Sequence, residues 1–311
     1  GICRNEVDLT CLLPGLPALA HPIIINAITG GADAVAKINE SLAIVARETG
    51  SAMAVGSQFG TVRTGLHRDS YTIVRKCNPK GLIFANLSAF ASVEQAKAAI
   101  DMISADALQI HLNPAQELAM EEGDRDFSNC LSHIEAMVQG VGVPVIVKET
   151  GCGMAKKEAQ DLLDVGVTLL DIGGAGGTNF PAIEHQRYPE GNEELSEWGI
   201  PTVLSLLSVV QTVGWGNGVI ASGGIRSALD VVKAQVLGAS AVAMAGNLLQ
   251  KIQQEGTEET IHFLQRLLNK VLDFYTLLGC RTFRDLHEAR YYLTGETAQA
   301  VSWLRKYDQN D

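Results

Sequence analysis

Short β-branched apolar runs alternate along the chain with longer stretches in which apolar residues recur at helical spacing. Eight such runs read as strands, each lying within Pro22–Gly30, Ser51–Gln58, Gly81–Ala89, Ala107–Asn113, Val143–Thr150, Val167–Gly176, Gly218–Ile225 and Ala239–Gly246. Between them lie amphipathic segments such as "SVEQAKAAIDMI", "KKEAQDLLDVG" and "SALDVVKAQVLG", the last two closing on a glycine where a helix C-terminus wants one. Continuous apolar runs suit parallel strands covered on both faces, with helices as the crossovers. Eight βα units in succession predict a TIM (β/α)8 barrel with a helical C-terminal extension, in preference to a doubly wound open sheet. The expected layout is a single domain over 1–311, with a lead-in over 1–21, the barrel over 22–250 and C-terminal helices over 251–311. Thr178–Gly199 is the longest expected loop and the best candidate for a lid.

Composition narrows the functional classes. The chain has 311 residues, 46% hydrophobic, with a formal net charge of −11 and no basic block, which argues against a nucleic-acid partner. Gly or a charge interrupts every long apolar run short of membrane-spanning length, so no membrane partner is expected. Six scattered cysteines without a C-x-x-C pair read as reduced thiols in a cytoplasmic protein.

In a barrel of this kind, chemistry collects at the C-terminal ends of the strands. Those ends supply Asn26 and Thr29; Ser57 and Gln58; Asn86 and Ser88; His111, Asn113, Gln116 and Glu117; Lys148 and Glu149. The last three strands end in "GGAGGTNF", "SGGIR" and "AGN". Gly223 and Gly224 let backbone N–H groups approach an anion, a following helix N-terminus adds about 0.3–1 kcal/mol, and Arg226 adds a charge-assisted contact. A phosphate site after the seventh and eighth strands is therefore expected, with tight βα turns as the plainer account of the same glycines. Lys148, half buried after "VPVIV", needs an anionic partner, either a ligand or Glu149 or Asp171. Thr29, Ser57, Asn86 and Thr178 are neutral hydrogen-bonding groups suited to the edge of a heterocycle. Cys152, with no histidine adjacent in sequence, reads as small-residue filler rather than a nucleophile. His111 is either a phosphate contact or a satisfied strand-end histidine.

Seven segments in order, "INAITGG", "AVGSQ", "ANLSA", "LQIHLNPAQE…EGDRDF", "VIVKETGCG", "DIGGAGGTNF…WGIPT" and "ASGGIRSALDVVKAQVLGASAVAMAG", resemble type 2 isopentenyl-diphosphate isomerase from about Asn26 to Gly246. The resemblance implies an FMN-dependent barrel that interconverts isopentenyl and dimethylallyl diphosphate in isoprenoid biosynthesis. It implies FMN contacts at Thr29, Ser57, Asn86, Lys148, Thr178, Gly223, Gly224, Arg226, Ala245 and Gly246. It also implies a substrate and catalytic contact at Gln116, and Mg²⁺ at Glu117. Arg63 and His111 are the candidates for further substrate phosphate contacts, although "SQFGTVRTG" departs from the family pattern around Arg63. NADPH as reductant and a homo-oligomer, tetramer or octamer, follow from the same resemblance. The family's Arg-Lys-x-x-His segment, which grips the diphosphate, has no counterpart in the chain, so an upstream segment carrying it is expected.

No pair of free carboxylates presents itself for acid–base work, so reduced flavin is expected to supply the proton while the protein orients and stabilises. The nearest rivals are other FMN barrels. A 2-hydroxyacid oxidase would want a histidine near the arginine of "SGGIRSALD", which has none; a dihydroorotate-dehydrogenase type is the other form of this alternative. An inosinate dehydrogenase type would want a cysteine where Thr178 stands. A phosphate-binding scaffold without catalysis accounts for the glycines but not for Lys148, Gln116 and Glu117 together.

Overall fold

The computed structural model describes residues 1–307; residues 308–311, the end of the expected C-terminal helices, lie outside the described residues. The eight strands form one closed parallel barrel in chain order. They are β1 (Ile23–Ile25), β2 (Ala52–Ala54), β3 (Ile83–Ser88), β4 (Ala107–Leu112), β5 (Val145–Glu149), β6 (Leu169–Asp171), β7 (Val219–Ser222) and β8 (Ala241–Met244). Closure is by β8 against β1, with Ile24 opposite Ala243. Every strand falls inside the run that predicts it, and each is shorter than that run, because the residues at its end leave the ladder and turn into the loop above.

The helices are α1 (Ala36–Thr49), α2 (Phe59–Thr64), α3 (Asp69–Cys77), α4 (Val93–Ile103), α5 (Pro114–Ala119), α6 (Cys130–Gly140), α7 (Lys156–Asp164), α8 (Phe180–Arg187), α9 (Thr202–Val213), α10 (Ala228–Val236), α11 (Gly246–Leu278) and α12 (Gly295–Tyr307). Their starts follow local chemistry. Ser92 caps α4 by accepting from the Gln95 amide while Gln95 reaches back, and Ser227 and Asp230 do the same for α10. Pro114 opens α5 at a position where its missing N–H costs nothing. The C-terminal extension is continuous with the barrel: α11 begins straight after β8 and is broken only at Gly256, whose φ is +86°. The expected long loop over 178–199 is instead largely helical, holding α8 and a short 3-10 turn, Glu193–Glu197. Pro181 in the first turn and Asn179 accepting from the Ala182 amide account for that start.

Side chains on each strand alternate between two cores. Outward residues such as Ile23, Ile25, Leu108, Ile110, Val145, Val147 and Val242 pack against the helices. Inward residues Ile24, Ala52, Ala54, Phe84, Ala107, Ile146, Leu169, Ile220, Ala241 and Ala243 fill the barrel itself. The lead-in covers the lower, N-terminal mouth: Cys11 and Leu19 bridge antiparallel, and both join Leu13 in the inner cluster.

Candidate active site

Above the inward apolar side chains, six of the eight strands turn polar, whereas β2 and β8 go on to Gly56 and Ala245. Asn26 stands above Ile24, Asn86 above Phe84, Gln109 and His111 above Ala107, Lys148 above Ile146, Asp171 above Leu169 and Ser222 above Ile220. These groups satisfy one another. Asp171, fully buried, accepts from Asn26 Nδ2 at 2.7 Å, from the Gly173 amide at 3.3 Å and from the Ser222 hydroxyl. Gln109 Nε2 donates to Asn26 Oδ1 at 3.0 Å, Asn86 Nδ2 donates to Gln109 Oε1 at 2.9 Å, and Asn86 Oδ1 lies 2.9 Å from His111 Nδ1. Lys148 Nζ donates to the Glu149 carbonyl at 2.7 Å and lies 3.9 Å from Asp171 Oδ2. The lysine thus has Asp171 as an internal anion, and it also lines the cavity above.

Above this floor opens a cavity of about 790 Å³, a size that suits a cofactor. All ten residues expected to hold FMN line it: Thr29, Ser57, Asn86, Lys148, Thr178, Gly223, Gly224, Arg226, Ala245 and Gly246, with His111 beside them. Gly223 and Gly224 have φ of +97° and +82°, a region that side-chain-bearing residues rarely adopt. A Cβ at Gly223 would sit 2.0 Å from the Gly174 carbonyl oxygen, and one at Gly224 would sit 2.3 Å from that of Gly176. The loops above β6 and β7 therefore meet backbone to backbone. Beside that seam, the first turn of α11 presents Gly246 and Asn247 to the cavity. Free backbone donors, the positive end of a helix and the Arg226 side chain at one end of the cavity make a cradle fit for a phosphate.

The other expected residues lie elsewhere. Gln116 and Glu117 sit half-buried on α5, outside the cavity lining, where α5 packs on α8. Gln116 Nε2 donates to Glu184 Oε1 at 2.8 Å, and Glu184 is buried and paired with Arg187. Glu117 is oriented by two donors, Asn113 Nδ2 at 2.8 Å and the Asp124 amide at 3.0 Å. Among the described residues no three His, Cys, Asp or Glu side chains gather to hold a metal. Arg63 is exposed on α2, over the ring of Phe59, and does not line the cavity. Phe180 and Ile183 bring α8 to the cavity wall.

Burial sets the protonation of three groups here. It pushes His111 down to about 4, with the Lys148 ammonium adding to the effect, so the imidazole is neutral at pH 7. Burial raises Glu149 to about 7, against three backbone N–H groups, of Gly151, Cys152 and Gly153, that donate to its carboxylate. The Cys152 thiol is pushed up to about 11, which suits filler rather than a nucleophile.

Gln109 and Ser222 are the floor residues that strand-end reasoning passes over, and Asp171 enters it only as a possible partner of Lys148. Their mark in the sequence is a lone polar residue in register with the inward-facing positions of an apolar run, as in "ALQIHL" and "VTLLDIG".

The sequence pattern of the FMN-dependent dehydrogenase family matches residues 79–293. A Bacillus pumilus isopentenyl-diphosphate delta-isomerase is 42% identical over 306 residues, covering 98% of this chain and 85% of the relative. A Geobacillus enzyme of the same name is 46% identical over 294 residues, covering 94% and 84%. The chain belongs to the isopentenyl-diphosphate delta-isomerase family. Among solved structures, a mandelate oxidase variant with an FMN adduct superposes with a TM-score of 0.68 at 18% identity, covering 94% of this chain and 85% of that one. A putative lactate oxidase from Pediococcus acidilactici gives 0.69 at 15% identity, covering 91% and 79%. At such identities the oxidases share the barrel, and the isomerases share the sequence.

Proposed function

We propose that this chain interconverts isopentenyl and dimethylallyl diphosphate, with FMN in the cavity at the top of the barrel. The observation that carries the reading is the convergence of all ten expected flavin contacts on one cavity, in a chain more than 40% identical to isomerases of that name. The phosphate of FMN would lie at Gly223, Gly224, Arg226 and the first turn of α11, and the isoalloxazine ring would lie over Lys148, Asn86 and Thr29. Lys148, which lines the cavity, would offer its ammonium to the ring and so favour the anionic form of a reduced flavin.

The reaction adds a proton to one alkene carbon and removes one from another, so it is redox-neutral overall. The side chains of the site do not offer a proton donor and acceptor as a pair, and FMN in its reduced form would supply that chemistry when bound. Gln116 is held by Glu184 with its amide fixed in orientation, which suits it to position the alkene rather than to exchange protons. A single oriented carboxylate at Glu117 fits Mg²⁺, which keeps several waters and shares its remaining contacts with substrate phosphates. Arg63, exposed on α2, would reach a diphosphate only from outside the cavity. Among the described residues no helix is long and apolar enough to cross a membrane. NADPH as reductant, a cytoplasmic location and a homo-oligomer belong to the same proposal.

The test is to reduce the bound flavin anaerobically and add isopentenyl diphosphate with Mg²⁺. Dimethylallyl diphosphate should appear with no net change in flavin redox state. A preparation that binds no FMN would overturn the reading. So would an oxidised flavin that a 2-hydroxyacid bleaches while isopentenyl diphosphate stays unchanged.

A further inference from the structure

The floor of the cavity has a direction. Asp171 faces donors, among them the Gly173 amide and the Lys148 ammonium, neither of which can accept. Its carboxylate is therefore an acceptor, and Asn26 must turn its amide nitrogen toward it, at 2.7 Å. The Ala27 amide, 2.9 Å from Asn26 Oδ1, fixes the same orientation independently, since a backbone N–H has nothing to accept with. Asn26 Oδ1 then receives Gln109 Nε2 at 3.0 Å, which leaves Gln109 Oε1 for Asn86 Nδ2 at 2.9 Å. Asn86 Oδ1 is what remains to face His111 Nδ1, at 2.9 Å, and only a protonated Nδ1 can pair with it.

We infer that His111 is held as the Nδ1–H tautomer by this relay of three side-chain amides, so that its Nε2 presents a lone pair to the cavity. The opposite tautomer would require all three amides to turn over. Asn26 would then set an oxygen against Asp171 and its amide nitrogen against the Ala27 N–H. Each buried group left unpaired costs free energy that no other contact returns, so the reversed relay is disfavoured.

The charges around the imidazole act in the same sense. Lys148 is its neighbour on β5, Asn86 and Ser88 face it from β3 without charge, and Arg226 lines the same cavity from the loop above β7. Asp171 stands at the far end of the relay, and no described acidic residue is among those that line the cavity with His111. The Leu87 carbonyl is the one neighbour that favours a second proton, and burial together with the Lys148 ammonium outweighs it.

The consequence goes beyond the proposed function and does not depend on its substrate. Nε2 takes a hydrogen bond, so the partner it suits is a donor, such as the N–H edge of a heterocycle or a bound water. A phosphate oxygen would meet lone pair against lone pair there and could bind only together with a proton. The role of His111 is thereby narrowed from phosphate contact to acceptor. Asn26 and Gln109 become positioning residues that act on the ligand only through it.

The test reads the tautomer directly. Protein labelled with ¹⁵N-histidine is examined at pH 7 by two-bond ¹H–¹⁵N correlation, with the His111 signals assigned by their loss in His111→Gln. The expected pattern is a protonated, pyrrole-type Nδ1 and an unprotonated, pyridine-type Nε2. An Nε2–H tautomer, or a ring protonated at both nitrogens, would overturn the inference. In Gln109→Met the relay is cut, and the His111 signals should move toward a mixture of tautomers. Adding Asn86→Asp, which restores a permanent acceptor at Nδ1, should bring back the single Nδ1–H form. A Gln109→Met spectrum identical to wild type would show that the relay sets nothing. Should that variant fail to fold, Asn86→Val removes the last link instead, and the wild-type spectrum by itself still decides the tautomer.

Discussion

The two ends of the barrel are built by the same strands and differ in almost everything else. At the lower end the inward positions carry Ile24, Phe84, Ile146, Leu169 and Ile220, closed over by Cys11, Leu13 and Leu19. One inward step higher, about 6–7 Å along a strand, stand Asn26, Asn86, Lys148, Asp171 and Ser222. The lower layer is held by dispersion and the loss of water contact, neither of which depends on direction. The upper layer is held by hydrogen bonds that each need a partner at one distance and angle. A ligand binds where such partners line a cavity, and the large cavity of about 790 Å³ opens at the upper end. The barrel therefore keeps its stability and its chemistry two residues apart.

That division can be broken from either side. The largest effect is expected from Phe84→Ala, which empties a fully buried inward position. Chemical denaturation should show a loss of about 3–5 kcal/mol, while the molecules still folded keep their FMN affinity. Affinity lost in proportion to stability would mean that the two layers are not separable. A smaller effect, of the opposite kind, is expected from Lys148→Met. Removing a charged donor from the cavity lining should weaken FMN binding by about 1.5–3 kcal/mol, or roughly 10–150-fold, seen as flavin lost on dialysis. Unchanged retention would leave Lys148 as a partner of Asp171 only.

The smallest effect is a slope. The folded-state value of Glu149 is raised to about 7, so its contribution to stability is present below pH 4.5 and is lost as pH rises to 7. That of His111 is lowered to about 4, so its contribution is present above 6.5 and is lost as pH falls to 4. Between pH 4.5 and 6.5 the two nearly cancel. In Glu149→Gln the cancellation ends. The stability of this variant relative to wild type should rise by up to about 1.4 kcal/mol per pH unit across that window, as urea titrations at several pH values would show. Parallel curves would mean that Glu149 is ionised throughout, held so by its three backbone donors.

The barrel was legible because its evidence is periodic: eight apolar runs each bounded by a turn, with helical spacing between, leave few other architectures. The cavity lining was legible in part through glycines and strand-end polar residues, while its assignment to FMN came with the family resemblance. Gln109 and Asp171 were harder to see. A single polar residue inside an apolar run looks like an interruption until the inward parity of its neighbours is known. The helix at Phe180–Arg187 hid inside a segment rich in Glu, Asn and Pro, a composition that reads as loop although Asn179 and Pro181 are also a helix start. Where Gln116 and Glu117 would stand relative to the cavity depends on how α5 leans on α8, a long-range contact that no local pattern encodes.

The seam where Gly223 and Gly224 lie on the Gly174 and Gly176 carbonyls has a consequence for how such a protein can be altered. Two loops in backbone contact leave no side chain between them to be enlarged, trimmed or exchanged, so neither loop offers a dial for tuning. The phosphate end of the cavity is accordingly the part of the molecule least open to redesign. New selectivity would have to be written on α8, where Phe180 and Ile183 meet the cavity with side chains rather than main chain. The cradle works as a fixed datum, and the walls opposite it are where variety is available.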